Sequence, residues 1–350
     1  MSDLSTHSQQ TKILLVKLSS LGDVLHNLPI VWDLRARLPN AQIDWVVEEG
    51  YVHLLTPLLS KDGFRGIDRI IPFGLRRWKK NLLKLSTWKE FFAFKKILQE
   101  TSYDVVIETQ GLLKSAIVCS LAKKTPNAAI AGLANATEFS GYEPIARSFY
   151  NQSVQVPIQC HAVDRSRWVM CSALDWPLLE RTSAPQFYPD QYIQSLRLPG
   201  MPITQQLSAP YVLCFHSTAR EAKRWPNSHW VALGKTLAAQ GYQVVLPWGN
   251  LAEQAVSKEI AAQIPNALVP PAFSIEDAFA VIAGAALTVG VDTGLTHLAA
   301  VLNKPTVEIY CDSPLWKTEG YWSSNIRNVG DIQKPPSVEQ VLQAATELLS

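Results

Sequence analysis

The sequence predicts an α/β protein of two successive units, each an open parallel sheet layered with helices. Three observations carry that reading. Short runs of branched residues alternate with helix-length patterns through the first half of the chain. The alternation dissolves between Leu178 and Pro210, a stretch with five prolines and no sustained period. It then resumes and continues to the C-terminus. With 350 residues, 47% hydrophobic and 18% charged, the chain is long enough for two cores and too apolar for a disordered one.

In the first half, "KILLVKL", "QIDWVV", "IDRIIPF", "YDVVIET" and "AAIAGL" read as strands, short and bounded by polar or turn residues. "LSSLGDVLHNLPIV", "WKEFFAFKKILQE" and "GLLKSAIVCSLAKK" read as helices between them. In the second half the strands are "YVLCFH", "YQVVLPW", "ALTVGV" and "TVEIY", with "SHWVALGKTLAAQ" and "SIEDAFAVIAG" as helices. "SVEQVLQAATELL" closes the chain as a helix. The expected division is a loose tail over 1–10, a first unit over 11–180, a linker over 181–209 and a second unit over 210–330. The closing helix, 331–350, is a candidate to pack back on the first unit. Strands separated by helices pair in parallel through crossovers.

Composition narrows the function classes. The longest uncharged apolar stretch, Ala278 to Val291, is too short to span a bilayer. The N-terminus lacks the basic-then-apolar layout of a signal peptide. Five cysteines without a C-x-x-C pair read as buried thiols in a reducing cytoplasm, and the seven histidines form no metal-ligand spacing. Net charge is +2 but uneven: residues 1–175 hold 21 basic and 16 acidic side chains, the remainder 11 and 14. The segment "RRWKKNLLKLSTWKEFFAFKK", Arg76 to Lys96, has eight basic residues and one acid. That bias points to an anionic partner for the first unit, or to a solvated basic face.

The sharpest local signal is "VGVDTGLTHLAAVLNKPTVEIY", Val289 to Tyr310. A buried strand ends near Asp292, and Thr293-Gly294 opens a helix whose first N–H groups suit a phosphate. Gly294 would let backbone approach closely, and Thr293 could add a hydroxyl. The competing reading is an ordinary helix cap. At the other end of the chain, the strand-to-helix turn at Leu18 has one glycine, Gly22, followed by Asp23. A nicotinamide-binding turn would carry G-x-G-x-x-G there. Asp23 is either a cap or a carboxylate placed for proton transfer.

Taken together, D-T-G-x-x-H-L-A-A, "HSTAREAKRWP" and "VKLSSLGDVLHNLPI" resemble the three ordered motifs of the ADP-heptose glycosyltransferases, glycosyltransferase family 9. "WVVEEG", "RRWKK" and "QGLLKSA" fall in the order found in members that add the first heptose. The resemblance runs from about Lys12 to the end. It implies a GT-B fold, two Rossmann-like domains with a cleft between them, acceptor on the first and ADP-sugar on the second. It further implies an inverting transfer, without metal or cofactor, of heptose from ADP-L-glycero-D-manno-heptose to the Kdo of Kdo2-lipid A in lipopolysaccharide inner-core synthesis. The enzyme would be cytoplasmic, in transient contact with the inner face of the inner membrane, and would bind no nucleic acid. Rival readings are addition of the second heptose, a protein acceptor, or a nucleotide-sugar-binding module without catalysis.

By the same resemblance Asp23 is the catalytic base, taking the proton of the attacking hydroxyl. Thr218, Lys223, Thr293 and Gly294 fall on the pyrophosphate, Asp292 within the same donor site, Glu253 on the ribose hydroxyls, Phe273 on adenine, and His297 on phosphate or sugar. Each has a plainer reading: Glu253 as a surface charge, Phe273 and His297 as packed core. Arg76, Arg77, Lys80 and Lys114 fall on the acceptor's carboxylates and phosphates, for which arginine forks are suited. Two positions depart from the family pattern: Ala219 where a second hydroxyl is frequent, and Tyr142 where an arginine is.

Overall fold

The computed structural model describes residues 10–61, 63–181, 187–196, 207 and 210–350. Its contacts divide the chain into two units. The first comprises the chain up to Ser19 together with Asn27–Glu180; the second comprises Ser20–His26 together with the chain from Arg181 onward.

The first unit is a six-stranded sheet of β1 (Lys12–Val16), β2 (Gln42–Glu48), β3 (Arg69–Phe73), β4 (Tyr103–Glu108), β5 (Lys124–Leu133) and β6 (Gln152–Val154). The order is β3-β2-β1-β4-β5-β6, parallel throughout. Strand order reverses between β1 and β4, the topological switch point beyond which such sheets bind ligands. Leu14, Val16, Val46 and Val106 lie in the same buried cluster as Phe94 and Leu98 of the helix Leu85–Leu98. The helix expected from Leu18 is two: Leu21–Leu25 and Leu28–Arg37, the second with a proline in its first turn.

In the second unit, β7 (Tyr211–Phe215), β8 (Gln243–Val245), β9 (Leu287–Val291), β10 (Thr306–Tyr310) and β11 (Ile326–Gly330) form a parallel sheet ordered β11-β10-β9-β7-β8. A single parallel bridge, Val245 to Leu268, adds a rudimentary strand beyond β8. With it the order matches that of the first unit, and the switch point lies between β7 and β9. The closing helix, Val338–Leu349, buries Val341, Ala344 and Ala345 in one cluster with Val289, Val307 and Ile309. It therefore belongs to the second unit's own core, which corrects the expectation that it returns to the first.

Much of the proline-rich stretch lies outside the described residues. The described part is not plain linker. It holds the helix Asp190–Ser195, with Tyr188 edge-on to Phe279 at 5.2 Å and Phe187 edge-on to Trp322 at 5.5 Å. All five cysteines are buried and stand outside any disulfide. Among the described residues no helix is long and apolar enough to cross a membrane.

Candidate functional site

At the C-terminal ends of β7, β8 and β9 the second unit opens a cavity of about 290 Å³, where the switch-point rule places a ligand. Its walls include Thr218 and Ala219 after β7, Trp248 and Gly249 after β8, Phe273, Thr293, and Leu21 from the short helix Leu21–Leu25. Four predicted donor residues, Thr218, Glu253, Phe273 and Thr293, thus come together in one cavity. Thr293 is extended and forms no side-chain cap, so it does not close the first turn of the helix Gly294–Val301. A second cavity of about 300 Å³ shares Ser217, Thr218, Ala219 and Glu253 and adds Arg224 and Asn227.

Glu253 is more than a surface charge. Its carboxylate accepts from the Gly249 N–H at 2.8 Å and from Asn250 Nδ2 at 2.7 Å, while Asn250 caps its helix by accepting from Glu253 N–H at 3.0 Å. These bonds fix the carboxylate at the cavity wall, and each oxygen retains a lone pair for a hydroxyl.

Behind the wall runs a buried ionic chain. Lys223 Nζ donates to Asp292 Oδ2 at 2.5 Å, and His297 Nε2 donates to Asp292 Oδ1 at 2.9 Å. His297 Nδ1 donates in turn to Glu308 Oε1 at 2.9 Å. Glu308 Oε2 also accepts from the Tyr310 hydroxyl and the Gly320 N–H, each at 3.0 Å. Burial opposes charge on His297, but Glu308 and Asp292 outweigh it and raise the imidazole to about 10. Burial likewise opposes charge on Asp292; His297 and then Lys223 reverse it, holding the carboxyl well below its usual range. His297, Asp292 and Lys223 are therefore not among the side chains lining the cavity. They form a charged frame under it.

His26 packs edge-on to His297, ring centroids 4.6 Å apart. Burial, and then the charge on His297, lowers it to about 4, so it is neutral at pH 7. The helix Leu21–Leu25 crosses the helix Gly294–Val301 through two glycines. A Cβ on Gly294 would lie 2.5 Å from Leu21 Cδ2, and one on Gly22 would lie 3.3 Å from His297 Cδ2. Gly294 thus serves close helix packing in this structure. Asp23, on the same short helix, accepts at Oδ2 from the Ser20 N–H at 3.0 Å and the Ser20 hydroxyl at 2.9 Å. The cap is real, and this helix groups with the second unit, not with the first as its place in the sequence suggested.

In the first unit, Lys114 Nζ bonds Ser19 Oγ at 2.7 Å and Glu48 Oε1 at 2.9 Å, and Arg76 Nε lies 2.6 Å from Glu48 Oε2. Arg76, Lys114, Ser19 and buried Glu48 form a polar cluster at the C-terminal ends of β1 and β2. Arg77 is elsewhere engaged. Its guanidinium takes both oxygens of Glu49, at 3.1 and 3.0 Å, and also pairs with Glu90, which accepts from Trp78 Nε1 at 2.9 Å. Arg77 thereby ties the helix Leu75–Lys79 to the helix Leu85–Leu98. Lys80 is exposed. Among the described residues no group of three or more His, Cys, Asp or Glu side chains is placed to hold a metal ion.

Sequence reasoning missed Leu21, Ser217, Trp248 and Glu308. Trp248 reads in the sequence as the last residue of the strand "YQVVLPW", whereas that strand ends at Val245 and leaves the indole in the loop beyond it. Glu308 sits within β10 and reaches His297 only through the fold.

Residues 91–347 match the model of the family described as glycosyltransferase family 9 (heptosyltransferase). The chain is 38% identical to lipopolysaccharide heptosyltransferase 1 of Pseudomonas aeruginosa over 329 residues, 94% of this chain and 86% of that protein. It superposes on the E. coli heptosyltransferase WaaC with ADP at a TM-score of 0.77 and 31% identity, covering 97% of this chain and 100% of that one. The same enzyme with ADP-2-deoxy-2-fluoro heptose gives a TM-score of 0.71 at 31% identity, covering 96% and 98%. Two Rossmann-like sheets with these counterparts are a GT-B fold, and the chain belongs to glycosyltransferase family 9, the heptosyltransferases.

Proposed function

We propose that this chain transfers heptose from ADP-L-glycero-D-manno-heptose to the Kdo of Kdo2-lipid A, inverting the anomeric centre, at the cytoplasmic face of the inner membrane. The observation that carries the reading is the helix Leu21–Leu25. Leu21 forms part of the donor-cavity wall, and Asp23 lies on the same short helix with its carboxylate bonded to Ser20, the residue before Leu21, at 2.9 and 3.0 Å.

The chemistry follows from the residues. A Kdo hydroxyl attacks the anomeric carbon from the face opposite the diphosphate, and Asp23 takes its proton as the bond forms. The departing ADP gains negative charge. The first-turn N–H groups at Thr293-Gly294 and the ammonium of Lys223 stabilise it. His297 remains charged and keeps Asp292 paired when Lys223 turns to phosphate. Phe273 and Trp248 offer apolar surface to adenine, and Glu253 accepts from the ribose hydroxyls. Arg76 and Lys114 bind acceptor anions. The test is transfer from ADP-heptose to Kdo2-lipid A and, separately, to its one-heptose product. Preference for Kdo2-lipid A is expected; preference for the one-heptose product would assign the second addition instead.

A further inference from the structure

The helix Leu85–Leu98 has two apolar faces. One, with Thr87, Phe94 and Leu98, is buried in the first unit's core. The other carries Leu85, Trp88 and Phe92 at i, i+3 and i+7, all exposed. The turn before it adds Leu82 and Leu83; Leu83 is fully exposed and Leu85 is 80% exposed. This turn is fixed, not frayed. Trp88 Nε1 donates to Leu82 O at 3.0 Å, Thr87 Oγ1 to Asn81 O at 2.8 Å, and Asn81 Nδ2 to Arg77 O at 3.2 Å. An ordered chain therefore holds five large apolar side chains in water, more than scattered surface hydrophobics account for.

The surrounding charge is of one sign. Lys79, Lys80, Lys84, Lys89, Lys95 and Lys96 fall within this segment, and its single acid, Glu90, is already paired with Arg77. On the helix, Lys89 and Lys96 flank Leu85 and Phe92, and Lys95 flanks Trp88, within about 60° of arc. Apolar residues for the acyl boundary bordered by lysines for headgroup phosphates are what an interfacial helix presents to an anionic bilayer.

We infer that Leu82, Leu83, Leu85, Trp88 and Phe92 seat the first unit on an anionic phospholipid surface, with Lys84, Lys89 and Lys96 contacting headgroup phosphates. This deepens the peripheral contact of the proposed function by naming its surface, and its test is separable from that function. The full chain is sedimented with vesicles of phosphatidylethanolamine and phosphatidylglycerol, and with vesicles of phosphatidylcholine alone, none containing a saccharide lipid. Binding to the anionic vesicles that weakens with salt is expected. Leu83→Glu/Leu85→Glu should weaken it about ten-fold or more, and so should Lys84→Glu/Lys89→Glu. Circular dichroism matching the wild type shows that each variant is folded. Equal binding to phosphatidylcholine, or binding unchanged in both variants, would overturn the inference. So would a concentration-dependent dimer, seen by light scattering, that Leu83→Glu/Leu85→Glu dissociates. Transfer to a water-soluble, acyl-free acceptor should survive in Leu83→Glu/Leu85→Glu. If vesicle binding is absent while that transfer proceeds, only the docking surface is lost; intact vesicle binding without transfer sinks the functional reading instead.

Discussion

Asp23 has two possible duties, and one substitution separates them. As a cap it needs only an acceptor for the Ser20 N–H and hydroxyl; as a base it needs a carboxylate that can take a proton. Asparagine keeps the acceptor and loses the basicity. Asp23→Asn should therefore lower transfer roughly a hundred- to ten-thousand-fold, with ADP affinity and melting temperature near wild type, because the cavity wall from this helix is Leu21. Turnover near wild type would leave Asp23 as a cap alone. The second residue-scale test concerns His297. Its folded value, about 10, lies above the unfolded value of about 6.5, so its charge contributes stability in full below pH 6.5 and loses it as pH rises toward 10. Glu308→Gln removes one of its two carboxylate partners. The variant should be less stable by about 2–5 kcal/mol near neutral pH, with a flatter fall in melting temperature between pH 6.5 and 10. Parallel pH profiles would show that Glu308 does not hold the charge. Thr218, Glu253 and Phe273 are legible through their match to the family's motifs, and Thr293 also through its place between a strand end and a helix start. The sequence could not make the Glu308–His297 pair legible: the bond joins mid-strand β10 to a helix eleven residues earlier, and no periodicity links them.

At the scale of elements, hydrophobic patterning located most strands but failed where charge concealed burial. β6 and β11 are edge strands with polar residues, Gln152 and Ser153 in one and Arg327 and Asn328 in the other. The helix Ala162–Ala173 escaped because its buried face includes Arg165 and Arg167; Arg167 Nε donates to Asp33 Oδ2 at 2.8 Å, a pairing invisible in local sequence. Gly294 teaches the same point. Read locally, it opens a phosphate site; in the fold it also leaves room for Leu21. Gly294→Ala should cost about 1–3 kcal/mol of stability by overpacking, and Leu21→Ala in the same chain should recover part of it. Strict additivity in that double-mutant cycle would mean the two helices do not meet through this pair. In the first unit the basic run divides by what each side chain touches. Arg76→Ala should raise the acceptor KM about three- to ten-fold and lower stability modestly, because the buried Glu48 beneath it keeps Lys114 as its remaining ionic partner. Arg77→Ala should instead lower the melting temperature and leave the acceptor KM nearly unchanged, since its partners are Glu49 and Glu90. The reverse pattern would return Arg77 to the acceptor site.

At the scale of the molecule, charge is divided against naive expectation. The first half is net positive, whereas the half assigned to a diphosphate donor holds 11 basic and 14 acidic residues after residue 175. The net charge of that half therefore does not favour the donor, so its binding rests on local positive groups. In the buried chain Lys223, Asp292, His297 and Glu308 alternate in sign and balance, so in the proposed mechanism Lys223 turns to phosphate while His297 still neutralises Asp292. The helix end at Thr293-Gly294 adds N–H donors at no further charge. If these groups carry the leaving-group charge, the diphosphate needs no bridging cation. Transfer should accordingly persist in excess EDTA, and Lys223→Met should lower kcat about a hundred-fold or more without rescue by added Mg²⁺. Ionic strength should distinguish the substrates as well. If Arg76, which is exposed, and Lys114 hold the anionic acceptor while Lys223, largely screened from solvent, serves the donor, raising salt should increase the acceptor's KM far more than the donor's. Activity that EDTA abolishes and Mg²⁺ restores would show that the ionic chain is scaffolding, with the leaving-group charge carried by a metal.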